Sequence, residues 1–241
     1  MRVAVLSDVH ANREALEAVL ADCAGRADLL VCLGDVVGYG ADPEACVDLI
    51  AERCHAVVAG NHEWAVTGRL DLGWFNPYAR AALEWTAARL PDTARAWLAA
   101  LPLVREVDDA VLVHASPRAP EEWDYLISDE DGYAALGAYA TRLCFVGHSH
   151  VPVLWAAGSW GRRWVPRFEE VTLQPGCRYL VNVGSVGQPR DRDPRAAYAL
   201  WDTEQRRVTM RRVPYDVAAA QRKIRAAGLP AMLADRLARG R

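Results

Sequence analysis

Six short apolar segments, each rich in β-branched residues, recur along this 241-residue chain and constrain its fold more than any other feature. They read VAVLSD, LLVCLGD, AVVAGN, VLVHAS, CFVGHSH and YLVNVGS. Because each apolar run is continuous rather than alternating, each predicts a strand buried on both faces. Helical periodicity lies between the early segments: Leu16 and Leu20 share one face, and Asp42-Pro43 is a typical helix start. Strand, helix, strand, helix, strand predicts βαβαβ units and a mainly parallel sheet.

The remaining chain supplies a helical region and two hairpins. Residues 74–101 have a helical pattern with a break at Pro91-Asp92. Residues 153–168 predict a hairpin that turns at Gly158-Ser159, and a second hairpin is predicted to turn near Thr203-Glu204. Such hairpins indicate a second, antiparallel-rich sheet packed on the first.

The tail, residues 216–239, has a helical pattern with arginines between its apolar residues. It is either a partner helix with a basic face or a surface helix docked on the core.

Composition favours a single globular domain spanning residues 1–241. Hydrophobic residues make up 52 % of the chain and charged residues 24 %, and no linker-like tract divides it. The net charge of −3 argues against a stable nucleic-acid partner. The amino terminus lacks a long apolar region, and no segment is typical of a membrane span, so we expect a cytoplasmic protein without a membrane partner. None of the six cysteines forms a CxxC pair, which favours reduced thiols in the core.

Polar residues follow each predicted strand. They are Asp8 and His10, Asp35, Asn61 and His62, His114, His148 and His150, and Asn182 and Ser185. Five of the six histidines stand at these strand ends, and only His55 stands elsewhere. In an open α/β sheet, ligands bind beyond the carboxyl ends of the strands, so neighbouring strands would bring these side chains together. The pattern favours a metal site over isolated structural histidines.

The donor set is too large for one tetrahedral zinc ion. It contains seven nitrogen or oxygen donors and no thiolate: Asp8, His10, Asp35, Asn61, His114, His148 and His150. Two divalent ions that share one bridging carboxylate would use all seven, and Asp35, on the central of three strand-to-helix turns, is the candidate bridge. Such a pair suits phosphoester hydrolysis, because it generates hydroxide at neutral pH and retains positive charge for the phosphoryl group. The donors favour Mn²⁺ or Fe, with Zn²⁺, Ni²⁺ or Mg²⁺ as alternatives.

The order and spacing of these motifs resemble the calcineurin-like metallophosphoesterase family, in its small bacterial phosphodiesterase-type branch. The matching motifs are Asp8-x-His10, Gly34-Asp35, Gly60-Asn61-His62-Glu63, His114 and Gly147-His148-x-His150, and the later stretch NVGSVGQPRD is similar to an active-site loop of the family. The resemblance implies an α/β fold, a four-layer αββα sandwich of two mixed β-sheets flanked by helices.

The resemblance also implies roles for the donors. Asp8, His10, Asp35 and His150 would hold one ion, and Asp35, Asn61, His114 and His148 the other. His62 would stay unligated beside the leaving group. Ala11 stands where the family commonly has glycine and Glu63 where it more usually has aspartate, but neither departure removes a ligand.

Three rival motifs fail on single residues. GNHEW lacks the second histidine of HExxH, since position 66 is Val66. GHSHV lacks the last glycine of a nucleophile elbow. GDVVGYGADP has no lysine and is therefore not a P-loop.

Several side chains have two possible roles. We expect Asn12, Tyr39 and Arg190 to bind substrate, although Tyr39 could merely pack and Arg190 could belong to a solvated ion-pair loop with Asp191. Glu63 would orient His62 or cap the helix that follows, and Trp64 would pack.

The tryptophans crowd the hairpin at residues 153–168. Trp155, Trp160 and Trp164 indicate an inter-sheet core or a dimer contact, which allows a homo-oligomer, rather than nucleobase stacking.

We therefore predict a binuclear metal-dependent phosphoesterase that hydrolyses a small phosphodiester or nucleotide-type substrate, with His62 and Asp35 as catalytic residues and a metal-bridging hydroxide as nucleophile. A phosphomonoesterase or protein phosphatase of the same fold is one alternative. A non-catalytic scaffold is another, and the full retention of seven ligands and His62 argues against it.

Overall fold

The computed structural model describes residues 1–241, which form twelve strands and eight α-helices. The strands are β1 (Arg2–Leu6), β2 (Leu29–Cys32), β3 (Ala56–Val57), β4 (Val104–Val107), β5 (Ala110–Val113), β6 (Leu143–Val146), β7 (Val153–Gly158), β8 (Gly161–Pro166), β9 (Glu170–Thr172), β10 (Arg178–Asn182), β11 (Ala196–Asp202) and β12 (Arg207–Val213). The helices are α1 (Arg13–Cys23), α2 (Pro43–Arg53), α3 (Asn61–Val66), α4 (Pro77–Ala87), α5 (Asp92–Ala99), α6 (Asp129–Ala135), α7 (Val217–Ala226) and α8 (Ala231–Asp235). Short 3₁₀ turns occupy Leu72–Trp74, Pro120–Glu122 and Leu237–Arg239.

Two mixed sheets of six strands each form the centre of the molecule, flanked by helices as the predicted sandwich requires. The first sheet has the order β3-β2-β1-β11-β12-β9 and the second β4-β5-β6-β10-β7-β8. All six predicted strands are present. The βαβαβ prediction is confirmed, since β1 pairs with β2 and β2 with β3 in parallel.

The expected second sheet is present, but the two hairpins do not both belong to it. The β7–β8 hairpin joins the second sheet through β10, whereas the β11–β12 hairpin joins the first sheet through β1. The backbone donors and acceptors of β1 and β10 would otherwise lie at unpaired edges, and one hairpin pairs with each. The first turn lies at Ser159-Trp160, one residue later than predicted, because Gly158 pairs with Gly161. The second lies between Asp202 and Arg207, as predicted.

The continuous apolar runs are explained by burial on both faces. In β1, Val3 and Val5 belong to the core between the sheets, whereas Ala4 and Leu6 pack beneath the flanking helices. All six cysteines are free thiols, and five of them are buried. This agrees with the predicted role of a cysteine as a small apolar residue.

Both predicted helical regions are interrupted. Residues 74–101 form α4 and α5, which are separated at Leu90-Pro91, because proline cannot continue the α4 hydrogen-bond ladder. The tail breaks at Gly228, whose φ is +72°. Its apolar residues Ile224 and Leu233 pack with Ala82 of α4, so the tail is docked on the body of the protein. No helix is both long and apolar enough to cross a membrane.

Candidate metal centre

The polar strand ends of both sheets meet at one edge of the sandwich. The first sheet brings Asp8, His10, Asp35, Asn61 and His62, and the second brings His114, His148 and His150. The sequence predicted that these strands are neighbours. The structure instead stacks the ends of β1, β2 and β3 on those of β5 and β6, so the donors converge across the interface between the sheets.

One donor group consists of Asp8, His10 and His150. The Nε2 atoms of His10 and His150 lie 3.1 Å apart. Asp8 Oδ1 lies 3.2 Å from His150 Nε2 and 3.7 Å from His10 Nε2.

A second donor group consists of Asp35, His114 and His148. His114 Nε2 lies 3.1 Å from His148 Nδ1 and 3.4 Å from Asp35 Oδ2. The same Asp35 oxygen lies 3.7 Å from His10 Nε2, so Asp35 stands between the two groups.

Backbone carbonyls orient three of the ligand rings. The Nδ1 atoms of His10, His114 and His150 lie 3.2, 2.8 and 2.6 Å from the carbonyl oxygens of Val37, Leu33 and Gln188, respectively. A ring N–H that donates to each carbonyl leaves the Nε2 lone pair directed into the donor group. Sequence reasoning missed these three carbonyls because a backbone acceptor has no residue signature.

Buried atoms without partners show that the donors fit metal ions. Asp8 Oδ1 and Asn61 Oδ1 are buried and make no hydrogen bond. Unpaired buried oxygen and nitrogen atoms are costly, and facing Nε2 lone pairs repel each other unless a cation lies between them. Imidazole, carboxylate and amide oxygen are suitable ligands for divalent transition metals.

The charge states of most donors suit metal binding. Burial opposes ionisation of Asp8 and Asp35, but the neighbouring histidines outweigh it and hold the pKa of both carboxyls below the usual range. Burial lowers the pKa of His10 and His150, and that of His148 to about 3. These imidazoles are therefore neutral at pH 7, as a metal ligand must be.

His114 differs from the other ligand histidines. Burial disfavours its charge, but the Asp35 carboxylate outweighs burial and raises the pKa of His114 to about 9. It would lose this proton on binding a metal.

Many of the ligands have strained backbones. Asp8, His10, Asp35, His148 and His150 have φ values of +54°, +51°, +52°, +64° and +60°. Left-handed conformations cost about 1–2 kcal/mol for residues with a Cβ atom, and such strain is typical of functional sites. Ala11, with φ of +52°, is strained in the same way, which explains why glycine suits this position.

Glu63 fixes the loop that carries Asp35. Its carboxylate accepts hydrogen bonds from the backbone N–H groups of Asp35 (2.7 Å), Val36 (2.9 Å) and Gly60 (2.8 Å). The bond from Gly60 caps α3, as one of the two sequence alternatives proposed.

The other alternative for Glu63, that it orients His62, is wrong. The His62 ring is held by the carbonyl of Val37, 3.1 Å from Nδ1. Trp64 packs as expected, with its ring centre 5.2 Å from that of Trp123.

A pocket of about 310 Å³ opens beside the donors. His62, Tyr39 and Arg190 line it. The Tyr39 ring centre lies 4.5 Å from that of His10 and 4.7 Å from that of His62. Arg190 donates to Gln188 Oε1 at 2.9 Å, and its buried Nε has no partner.

The ion-pair alternative for Arg190 does not apply, because its loop neighbour Asp191 pairs with Arg212.

Asn12 is the substrate-binding candidate that the structure contradicts. Its side-chain oxygen caps α1 by accepting from Ala15 N at 3.2 Å, and its amide donates to the Gly187 carbonyl at 2.8 Å. Both groups are engaged within the protein, and Asn12 does not line the pocket. Asn12 lies directly after the strand-end motif, where a substrate contact was expected. It is instead the N-cap residue of α1.

Aromatic residues at the pocket mouth were missed by sequence reasoning. Trp74, Phe75, Trp123 and Tyr125 line the pocket, and Trp74 is 83 % exposed. Their two loops are distant in the chain, so only the tertiary structure brings them together.

The Trp-rich hairpin does not form the predicted inter-sheet core. Trp155 is buried, but it packs on the outer face of the second sheet and donates to the Ser128 carbonyl at 3.0 Å. Trp160 is exposed in the hairpin turn, and Trp164 is exposed on β8, the edge strand of that sheet. The dimer contact stays a prediction.

Comparisons with known proteins agree with this architecture. An uncharacterized protein of Methanocaldococcus jannaschii is 39 % identical over 245 residues, which cover 99 % of this chain and 98 % of the relative. The crystal structure of a metallophosphoesterase from Sphaerobacter thermophilus is 44 % identical with a TM-score of 0.88, covering 100 % of this chain and 99 % of that one.

A hypothetical protein of Pyrococcus horikoshii OT3 shares the fold at 22 % identity, with a TM-score of 0.80 and coverage of 100 % and 98 %. A sequence model of the calcineurin-like phosphoesterase superfamily domain matches residues 1–206. With its strand-end donors and its two-sheet sandwich, the chain belongs to the calcineurin-like phosphoesterase superfamily.

Proposed function

We propose that this protein is a phosphodiesterase that uses two divalent metal ions and hydrolyses a small, nucleotide-type phosphodiester. The position of Asp35 carries the proposal. Its Oδ2 atom lies 3.4 Å from His114 Nε2 in one donor group and 3.7 Å from His10 Nε2 in the other. A single carboxylate between two sets of donors is the arrangement expected for a bridging ligand.

The ligands would divide between two ions. Asp8, His10 and His150 would hold one, and His114, His148 and Asn61 the other, with Asp35 shared. When bound, such a pair lowers the pKa of water enough to provide a nucleophile at neutral pH and stabilises the charge of the phosphoryl group. Mn²⁺ or Fe suits these donors best, with Zn²⁺, Ni²⁺ or Mg²⁺ as alternatives.

His62 would move the proton of the leaving group. Because Nδ1 is engaged with the Val37 carbonyl, Nε2 is the atom left to face the pocket. Burial lowers the pKa of His62 to about 3, so its imidazolium cation is disfavoured at pH 7. A bound phosphoryl anion offsets the burial cost of that cation, and the proton can then pass from Nε2 to the leaving oxygen.

Arg190 and Tyr39 would hold the substrate's phosphoryl oxygens. Arg190 lines the same pocket as His62, and its buried Nε has no hydrogen-bond partner. A guanidinium group can donate two parallel hydrogen bonds to one phosphoryl group. The aromatic mouth of the pocket supports a nucleotide-type ester, because exposed rings stack on nucleobases.

Matched chromogenic esters test the proposal. We expect bis(4-nitrophenyl) phosphate to be hydrolysed faster than 4-nitrophenyl phosphate with Mn²⁺, and elemental analysis to find two metals per chain. Faster hydrolysis of the monoester would make the protein a phosphomonoesterase. No turnover with Mn²⁺, Ni²⁺, Zn²⁺ or Mg²⁺ and fewer than two metals per chain would favour a scaffold.

Two variants test the assigned roles. Asp35→Asn should lower kcat by about a thousandfold or more and reduce metal content, because it removes the shared ligand. His62→Gln should lower kcat by about 10²–10⁴-fold while metal content stays unchanged. Unchanged turnover in His62→Gln would remove His62 from the mechanism.

A further inference from the structure

A second groove lies directly beside the metal pocket. It has a volume of about 540 Å³ and is lined by Arg236, Arg239 and Arg241. Tyr39 and Asn76 line both the groove and the metal pocket, so the two spaces share a wall. We call this space the arginine groove.

The segment that supplies these arginines is held in place. Leu233 and Leu237 are buried against α4, and Arg192 N donates to the Gly240 carbonyl at 2.7 Å. The latter bond ties the segment to the loop that carries Arg190. The arginines therefore have a fixed position relative to the metal pocket.

The arginine groove has a large excess of positive charge. None of its three arginines forms an ion pair with an aspartate or glutamate side chain. Asp235 is the only acidic side chain in the lining, and it pairs with Arg225 at 2.6 Å. Arg236 directs its Nε to the backbone oxygen of Arg241, so its two terminal nitrogens stay available.

Arg190 extends this positive charge into the metal pocket. Its terminal nitrogen lies 3.5 Å from the Tyr39 hydroxyl, on the wall that the two spaces share. Burial, together with the charge of Arg190, lowers the pKa of Arg236 to about 10. Arg190 and Arg236 line adjoining spaces that share Tyr39, and a multiply charged anion that contacts both would offset the repulsion between these two cations.

We propose that the arginine groove binds a second phosphoryl group of the substrate, so that the preferred substrates are nucleotide esters with two or more linked phosphates. This inference rests on the proposed function. One phosphate lies at the metal donors and the next reaches past Tyr39 to Arg236 and Arg239. The reaction stays a hydrolysis: the oxygen of water bonds to phosphorus and water gives up a proton, the phosphorus–oxygen bond to the leaving group breaks, and the leaving oxygen takes a proton from His62, which the proton released by water restores.

A matched pair of substrates tests the proposal. One is the 4-nitrophenyl ester of a nucleoside monophosphate, and the other is the β-(4-nitrophenyl) ester of the corresponding diphosphate. We expect a higher kcat/KM for the diphosphate ester. Arg239→Gln should lower that value by about tenfold, as expected for one lost charge-assisted hydrogen bond, and change the monophosphate value by less than about twofold.

Arg236→Gln should have the same selective effect. Arg222→Gln is the control, because it removes the same charge from an exposed residue of α7 that does not line the groove. Equal effects on both esters, no effect on either, or an equal effect of Arg222→Gln would overturn the inference.

A binding measurement separates this inference from the proposed function. Inorganic tripolyphosphate is titrated calorimetrically into the purified protein and into Arg239→Gln and Arg222→Gln. We expect weaker binding to Arg239→Gln only. That result supports phosphoryl binding by the arginine groove even if no diester is hydrolysed. Equal binding by all three proteins would contradict the inference without contradicting the phosphodiesterase proposal.

Discussion

The core between the sheets and the donor cluster at the sheet edge are both buried, but they are built in opposite ways. The core contains Val3, Val5, Phe145 and Val181, which lie in regular strands. The donor cluster contains ionised carboxylates, unpaired polar atoms and left-handed backbones. The core side chains pack on one another and leave no polar group unpaired. The buried polar groups of the cluster destabilise the folded protein until a ligand binds them. Stability and function therefore occupy different regions, and four predictions test that separation.

The largest effect on stability should come from the core. Phe145 is fully buried, and its ring centre lies 5.6 Å from that of Trp201. We expect Phe145→Ala, which removes this ring, to lower the free energy of unfolding by about 3–5 kcal/mol. Denaturant titration measures this loss. Metal content per folded chain should not change, and its loss would show that core and cluster are not separable.

Metal loading should stabilise the protein through the cluster. Metal that binds only the folded state adds about 2.7 kcal/mol at a hundredfold excess over Kd. We expect Mn²⁺ to raise the Tm of the wild type and of Phe145→Ala, but not of Asp35→Asn, in thermal scans with and without chelator. A similar shift in Asp35→Asn would mean that metal binds elsewhere.

The Asp22 carboxylate, unlike the donor cluster, finds its hydrogen-bond partners within the protein. Asp22 accepts hydrogen bonds from Tyr198 at 2.7 Å and from Arg211 at 3.1 Å. Burial opposes its ionisation, but these bonds outweigh burial and lower the pKa of Asp22. The ionised Asp22 carboxylate therefore stabilises the folded protein fully at pH values above its unfolded-state pKa of about 3.9. This stabilisation is lost as the pH falls through the lower pKa that Asp22 has in the folded protein.

Asp22→Asn should therefore destabilise the protein by about 1 kcal/mol at pH 7, a modest value because the ion pair is partly solvated. Urea titrations of variant and wild type from pH 7 to pH 2 measure this difference. It should shrink below about pH 4, and a constant difference across that range would contradict the assigned charge effect.

The smallest loss of stability should come from a substitution at a strained position beside the cluster. Ala11→Gly and Ala15→Gly each remove one buried methyl group, but Ala11 has a φ of +52° and Ala15 lies in α1. We expect Ala11→Gly to be less destabilising than Ala15→Gly by about 1–2 kcal/mol, because glycine relieves left-handed strain and weakens a helix. Equal losses in denaturant titrations would argue that position 11 is not strained.

The sequence predicted the strands and the donors better than their arrangement. Continuous apolar runs predict β1, β2, β5, β6 and β10 directly, because both faces of each strand are buried. The assignment of the β11–β12 hairpin to the second sheet failed, since residue patterns do not specify which edge a hairpin will pair with. Asn12 failed for a related reason: capping and substrate contact both use an amide, and only its position relative to α1 distinguishes them.

By itself, the sequence predicted which residues form the candidate metal centre. Aspartates, histidines and an asparagine after buried strands have few other uses, because polar groups at such positions must find partners. Only the tertiary structure decided how they meet. Two sheets had to stack for His10 of one to lie 3.1 Å from His150 of the other, and the tail had to dock to place Arg236 in a groove that adjoins the pocket of Arg190. Such contacts between distant segments depend on packing across the whole chain, which no local pattern encodes.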